Sequence, residues 1–319
     1  MRTKQVFSAL MALVCGAALL SACGSSGTSS AASASSAAAA AGSSQAAAES
    51  TGTAASDGTA GEAGTTSSGA NGTLRVGMSA DYAPFDWLQN DDSNGAVKTT
   101  NGSYINGYDV MMAKQVTSEL GMNLEITQVD WNGLIMAITS DKVDCAIAGM
   151  SITSERKKSV DFTDWYYQAN TALVVNKDSK YAGARSLKDL AGGKFTSAQN
   201  TTWYAALDQL NGIATKGAAL QTFAALVSAV HSGIVDGFTC DVPSAESLLK
   251  TNPDLLIVKF DEGKGFQDND EDVNLGIAVK KGNTELVDKI NGVLEKMTDD
   301  DRDQMMKEAV AAEPANSIS

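Results

Sequence analysis

The side chains best suited to chemistry lie in one stretch, Ala148-Gly149-Met150-Ser151-Ile152-Thr153-Ser154-Glu155-Arg156. A guanidinium presents a planar fork that can hold a carboxylate through two parallel hydrogen bonds. The stretch leaves the apolar run Val143 to Ala148, breaks at Gly149 and can open a helix with Thr153 as N-cap, so free backbone N–H groups would face the same anion. Two readings of Arg156 stand side by side: an anion clamp, or the first member of a solvated helix face, Arg156-Lys157-Lys158. Asp241, followed closely by Pro243, is a candidate for the opposite task of meeting an ammonium, and equally a helix cap. Covalent or acid–base chemistry finds no comparable constellation. His231 is the single histidine and reads as a helix-surface or packing residue, and Gly-x-Ser-x-Gly, His-Glu-x-x-His and phosphate-binding glycine patterns are all missing. No metal site or cofactor is expected.

Positioning these groups requires strands and helices in alternation. Leu74, Val76 and Met78 alternate as a strand. A helix follows with Met112, Val116 and Leu120 on one stripe and Gly121 as its stop, then a strand from Leu124 to Val129. A second helix, capped by Asp130, begins at Trp131 and turns Leu134, Ile135 and Ile138 inward, and a third strand runs from Val143 to Ala148. This β-α-β-α-β order predicts a parallel open sheet. A second series follows: Ser186 to Leu190 as a short helix, Lys194 to Ala198 as a strand, and a helix Trp203 to Leu210 capped by Thr202. Leu226 to Val242 lies over Leu134 to Met150 without a gap, with identities at Leu226, Ala229, Ser232, Val235 and Asp236. That register places Cys240-Asp241 where Ala148-Gly149 falls, just past the carboxyl end of a strand, where ligands bind in open α/β sheets. Leu275, Ile277 and Val279 alternate as a strand that rejoins the first sheet, followed by a helix with Leu286, Ile290, Val293, Leu294 and Met297 inward. The expected fold class is α/β, two lobes each with a mostly parallel sheet flanked by helices, joined by two crossover strands. The loop from Asn90 to Gly107 has no assigned role.

Composition supplies an address. Arg2 and Lys4 precede an apolar run from Val6 to Leu20 and the box Leu20-Ser21-Ala22-Cys23, the pattern of a lipoprotein signal with Cys23 as the lipidated residue. The next 47 or so residues are almost wholly Ser, Ala, Gly and Thr and cannot bury a core, so they read as a flexible tether with an end-to-end distance of about 40 Å. The expected organisation is 1–22 signal peptide, 23–72 lipidated cysteine and tether, 73–167 plus 272–319 first lobe, and 168–271 second lobe. Without Arg2 and Lys4 the chain carries 22 basic and 38 acidic residues, a balance of −16 that argues against nucleic acid as a partner. Cys145 and Cys240 stand in different halves and read as small core residues.

The stretch around Arg156, followed by Val160-Asp161-Phe162-Thr163-Asp164-x-Tyr166-Tyr167, closely resembles the signature of the polar amino-acid-binding proteins of ABC importers, bacterial solute-binding proteins of family 3. The likeness covers about Leu74 to Val310. It implies a cleft in which Tyr82, in Asp-Tyr-Ala-Pro-Phe, is an aromatic lid and Trp131 stands opposite. Gly149 and Ser151 would serve the ligand's ammonium, Arg156 and the backbone of Thr201-Thr202 its carboxylate, and Asp241 the ammonium from the second lobe. Core packing is the alternative for Tyr82 and Trp131. Gln199, Asn200, Trp203 and Tyr204 would shape the side-chain pocket. Asn200 stands where the family usually has glycine, and Ser79 occupies a position often acidic in binders of basic amino acids, which argues against lysine or arginine. The resemblance implies a monomer, lipid-anchored on the outer face of the cytoplasmic membrane, that delivers an amino acid to permease subunits without altering it. A secreted dehydratase of related fold and a ligand-sensing module are the alternatives.

Overall fold

The computed structural model describes residues 72–314, so the expected signal peptide, Cys23 and most of the tether lie outside the described residues. Two five-stranded sheets organise the described body. The first runs, in spatial order, Asn123–Gln128, Thr73–Met78, Cys145–Ala146, Asn274–Lys280 and Val160–Gln168. Only Asn274–Lys280 runs against the rest. The second runs Thr215–Lys216, Lys194–Ser197, Gly237–Asp241, Thr171–Asn176 and Leu255–Ile257, with Thr171–Asn176 alone reversed. The strand containing Leu275, Ile277 and Val279 therefore does return to the first sheet, and all three side chains are buried.

The internal echo is structural. Asp144 and Asp236 each accept a hydrogen bond from a backbone N–H of the parallel strand next to their own, Arg75 N and Lys194 N, both at 2.8 Å. Each returns its own N–H to the carbonyl of that same residue. Ala137 and Ala229 likewise accept from the residues that lead into their strands, Lys142 and Val143 in one case and Ile234 and Val235 in the other. The identities noted in the sequence thus hold one turn twice, and they place the ends of Cys145–Ala146 and Gly237–Asp241 at equivalent points of the two sheets.

The helix Tyr108–Leu120 ends as expected at Gly121, whose φ of 64° suits a residue without Cβ. The strand expected over Val143 to Ala148 keeps ladder geometry only at Cys145–Ala146. The excursion from Asn90 to Gly107 is not a plain loop. Its strands Val97–Lys98 and Tyr104–Asn106 join Asp86–Gln89 and Asp81–Tyr82 in a four-stranded antiparallel sheet. A further helix, Asp299–Ala312, begins with a capping box between Thr298 and Asp301 and carries Arg302, which donates to the carbonyls of Met297 and Leu294 and so caps the preceding helix. Cys145 and Cys240 are buried free thiols, as expected. Two chain segments pass between the sheets, at 169–170 and between Ile257 and Asn274.

Candidate functional site

Several side chains from the two sheets meet directly. Arg156 does not open a long helix: Arg156–Lys158 is a single 3-10 turn, too short for an aligned row of peptide dipoles. Glu155 rather than Thr153 is its N-cap, although the Thr153 hydroxyl accepts from Arg156 N at 3.2 Å. The guanidinium donates to the Ser151 carbonyl at 2.8 Å on its own side and to the Asn200 carbonyl at 2.8 Å on the other, and its carbon lies 5.2 Å from the centre of the Trp131 ring. No described carboxylate pairs with it. Burial pulls its pKa down to about 10, so it stays charged at neutral pH. Two of its five donors are engaged in these carbonyl bonds, which leaves three for a ligand.

Beside it opens a groove of about 420 Å³ lined by Trp131, Ile135, Met150, Arg156, Thr201 and Thr202, among others. Thr201, rather than Thr202, is the N-cap of the short helix Thr202–Ala206, accepting from Tyr204 N at 3.2 Å. The Thr202 hydroxyl lies 3.3 Å from the buried Ser151 hydroxyl and donates to the Asp272 carbonyl at 3.4 Å. Asn200 bridges the same gap, its side-chain amide donating to Asn132 and its carbonyl accepting from Arg156. Its φ of 59° is the left-handed conformation that glycine adopts freely and asparagine tolerates. The departure from glycine in the sequence is therefore accommodated without moving the backbone away.

Tyr82 and Gly149 form a second centre. Gly149 has φ 56°, and a Cβ there would lie 2.2 Å from Tyr82 Cε1, so the glycine admits the tyrosine ring. That ring is buried, stacked on Phe85 at 4.7 Å and on Phe223 at 5.6 Å, with Trp203 tilted against it at 5.5 Å. Its hydroxyl donates to Asp241 Oδ2 at 2.8 Å. Asp241 is fully buried and also caps the helix Val242–Thr251 by accepting from Ser244 N at 2.9 Å. Burial raises its pKa, while the Ser244 N–H and the Tyr82 hydroxyl oppose the rise. The helix-cap reading is thus realised at Asp241, whose other carboxylate oxygen is held by the Tyr82 hydroxyl. A small cavity of about 40 Å³ adjoins these groups, lined by Ser79, Asp81, Tyr82, Trp131, Gly149 and Thr201 together with Trp203, Phe223, Ala198 and Gln221.

All eight residues singled out from the sequence therefore converge. Trp131, Arg156, Thr201 and Thr202 line the groove, Tyr82, Gly149, Trp131 and Thr201 line the small cavity, Ser151 abuts Thr202, and Asp241 stands behind Tyr82. Asn200 and Trp203 line the cavities, whereas Gln199 and Tyr204 do not; the Tyr204 hydroxyl donates to the Gly217 carbonyl. Phe223, Gln221 and Asp81 escaped the sequence reading. The first two lie at a helix start and the residue before its cap, with no motif of their own, and Asp81 is adjacent to the noted Tyr82.

The model of the bacterial extracellular solute-binding proteins, family 3, matches residues 74–309. The chain belongs to this family. Among relatives, the arginine-binding extracellular protein ArtP of Bacillus subtilis is 33% identical over 237 residues, covering 73% of this chain and 84% of ArtP. The ABC transporter glutamine-binding protein GlnH of the same organism is 30% identical, covering 72% of this chain and 81% of GlnH. Among solved structures, the amino acid ABC transporter substrate-binding protein AbpA of Streptococcus pneumoniae, bound to L-arginine, aligns with a TM-score of 0.64 at 27% identity over 78% of this chain and 97% of that one. An ancestral arginine-binding protein bound to arginine aligns with a TM-score of 0.60 at 35% identity over 74% and 97%. Family 3 membership makes this chain an extracytoplasmic solute-binding protein of an ABC transporter, and a binder rather than an enzyme, so the dehydratase alternative falls away.

Proposed function

We propose that the chain captures an amino acid with a long cationic side chain between its two lobes and hands it to membrane permease subunits, acting as a lipid-anchored monomer. The observation that carries the reading is Arg156: a half-buried guanidinium held by two carbonyls from opposite sides of the cleft and ion-paired with no described carboxylate, Glu155 of the same groove pairing with Lys158 instead. A ligand carboxylate supplies the missing counter-charge. Ser151, the Gly149 carbonyl and Asp241 are assigned to the ammonium, and Thr201-Thr202 to the carboxylate from the second lobe. The side chain would run toward the aromatic faces of Tyr82, Trp131, Trp203 and Phe223, where Asp81 is the one charged residue of the lining. Aromatic faces and a carboxylate together favour a cation. Ser79 is neutral, but Asp81 faces the same cavity. The arginine-binding relatives support this choice, and the glutamine-binding one keeps a neutral amide as its competitor.

Calorimetric titration of the full chain, refolded to strip carried ligand, against the twenty amino acids, ornithine and cystine tests it. Arginine, lysine or ornithine should bind one-to-one and tightest, and Asp81→Asn should weaken them about fivefold or more while sparing glutamine. A preference for glutamine that Asp81→Asn leaves unchanged would exclude the cationic reading. The lipid anchor is tested separately. Cys23→Ser should move the protein from the membrane fraction to the soluble one with ligand affinity unaltered, and retention in the membrane fraction would remove the tether from the account.

A further inference from the structure

Behind the ligand loop lies a hydrogen-bonded chain with no part in the contacts assigned above. Asp109, in the first turn of the helix Tyr108–Leu120, is fully buried. Its Oδ1 accepts from the Tyr166 hydroxyl at 2.7 Å, and that hydroxyl oxygen accepts from Gly149 N at 2.9 Å. Asp109 Oδ2 has no hydrogen-bond partner. The helix start is itself fixed to the turn that bears Tyr82, because Tyr108 N donates to the Pro84 carbonyl and Asp109 N to the Phe85 carbonyl. One buried carboxylate thus sits where the Tyr82 turn and the Gly149 turn meet, and it fixes the direction of the hydroxyl that holds Gly149.

We propose that Asp109 is a positioning residue for ligand binding: its ionised carboxylate, through the Tyr166 hydroxyl, holds the Gly149 turn in the geometry that the ligand meets. The inference rests on the assignment of the Gly149 loop to the ligand. A charge-assisted acceptor makes a stronger bond than a neutral carboxyl, so protonation of Asp109 loosens the grip on Gly149. Burial raises Asp109 to about 7, against the lowering effect of the Tyr166 hydroxyl and the Gly149 N–H. The ionised, competent form therefore prevails above that pH and is lost as pH falls through it. Other titratable groups face Asp109 from the elements packed against it. Burial, the charge of Asp109 and that of Asp81 push Asp86, from the strand Asp86–Gln89, well upward, so that Asp86 ionises less readily beside a charged Asp109. Burial, followed by the charge of Asp109, also pushes Tyr166 well upward; Tyr82 rises through burial and Asp241 first. Tyr108, on the same helix, is raised by burial and faces Arg302 and Asp303 of the helix Asp299–Ala312, and Tyr167 is raised by burial to about 12.

The test uses the full-length protein and two readouts. The first needs no ligand: the amide proton and nitrogen shifts of Gly149, followed by NMR from pH 5.5 to 8.5, should titrate with a midpoint near that of Asp109 in the wild type. They should lie flat in Asp109→Asn and in Tyr166→Phe, with melting temperature and circular dichroism as fold controls. The second is the dissociation constant of the tightest-binding amino acid over the same range. It should weaken about fivefold on acidification in the wild type and stay flat in Asp109→Asn. A Gly149 signal that does not move, or a pH profile that Asp109→Asn leaves intact, overturns the inference. Failure to bind any amino acid, with the Gly149 titration intact, would instead strike the ligand reading and the positioning role tied to it, leaving only a structural chain.

Discussion

Arg156→Ala should reduce amino-acid affinity by about a hundredfold or more while the fold survives nearly unchanged. A ligand carboxylate that loses its charged partner in a partly desolvated cleft costs about 3–5 kcal/mol, far more than a surface ion pair would. The arginine also joins the lobes directly, through the Ser151 and Asn200 carbonyls, so its removal costs part of the closed arrangement as well as the ligand contact. Stability should respond weakly. The Asn200 contact is solvent-exposed, the Ser151 one only partly buried, and both carbonyls can return to water. Arg156→Lys separates charge from fork: it keeps the cation but loses the planar pair of donors, and should fall between wild type and alanine. Isothermal titration reads all three proteins. Unchanged affinity in the alanine variant would mean that the ligand carboxylate sits elsewhere.

What the sequence disclosed and what it hid divide along a physical line. Periodicity and punctuation are local, and the elements they govern were legible: the strand at Leu74, the helix closed by Gly121, the returning strand at Leu275. The echo between Leu134 to Met150 and Leu226 to Val242 was legible because its identities do one geometric job twice, down to the paired hydrogen bonds of Asp144 and Asp236. Hidden were features set by distant partners. The strands at Val97 and Tyr104 are two and three residues long and lie in a stretch rich in Gly, Asn and Asp, so only their neighbours in the ladder define them. Asp299–Ala312 opens on three aspartates, and its short inward stripe of Met306 and Ala309 is completed only by the buried Arg302. Phe223 joins the site only because Tyr82 reaches across from the other lobe. The converging residues were readable through the resemblance; the hydroxyl linking Tyr82 to Asp241 was not.

Gly149→Ala should be the most damaging single-methyl change in the cleft, lowering the melting temperature by roughly 5–15 °C and weakening ligand binding with it. Two costs combine. An alanine at φ 56° is in the left-handed region and is strained by about 1–2 kcal/mol wherever it occurs. Its Cβ would also stand 2.2 Å from Tyr82 Cε1, so one of the two must move. The ring has little freedom to do so, stacked between Phe85 and Phe223 and tied by its hydroxyl to Asp241. Displacing it adds about 1–3 kcal/mol and breaks the bond to Asp241. Gly183→Ala provides the control, because a Cβ there meets nothing within 4 Å and the backbone is not left-handed, so its melting temperature should hardly change. Tyr82→Leu in the Gly149→Ala background should recover the steric part but not the backbone part, giving a coupling of about 1–3 kcal/mol between the two sites. Simple additivity would show that the tyrosine ring yields freely, and the close fit of Tyr82 onto Gly149 would then contribute little to holding the cleft in shape.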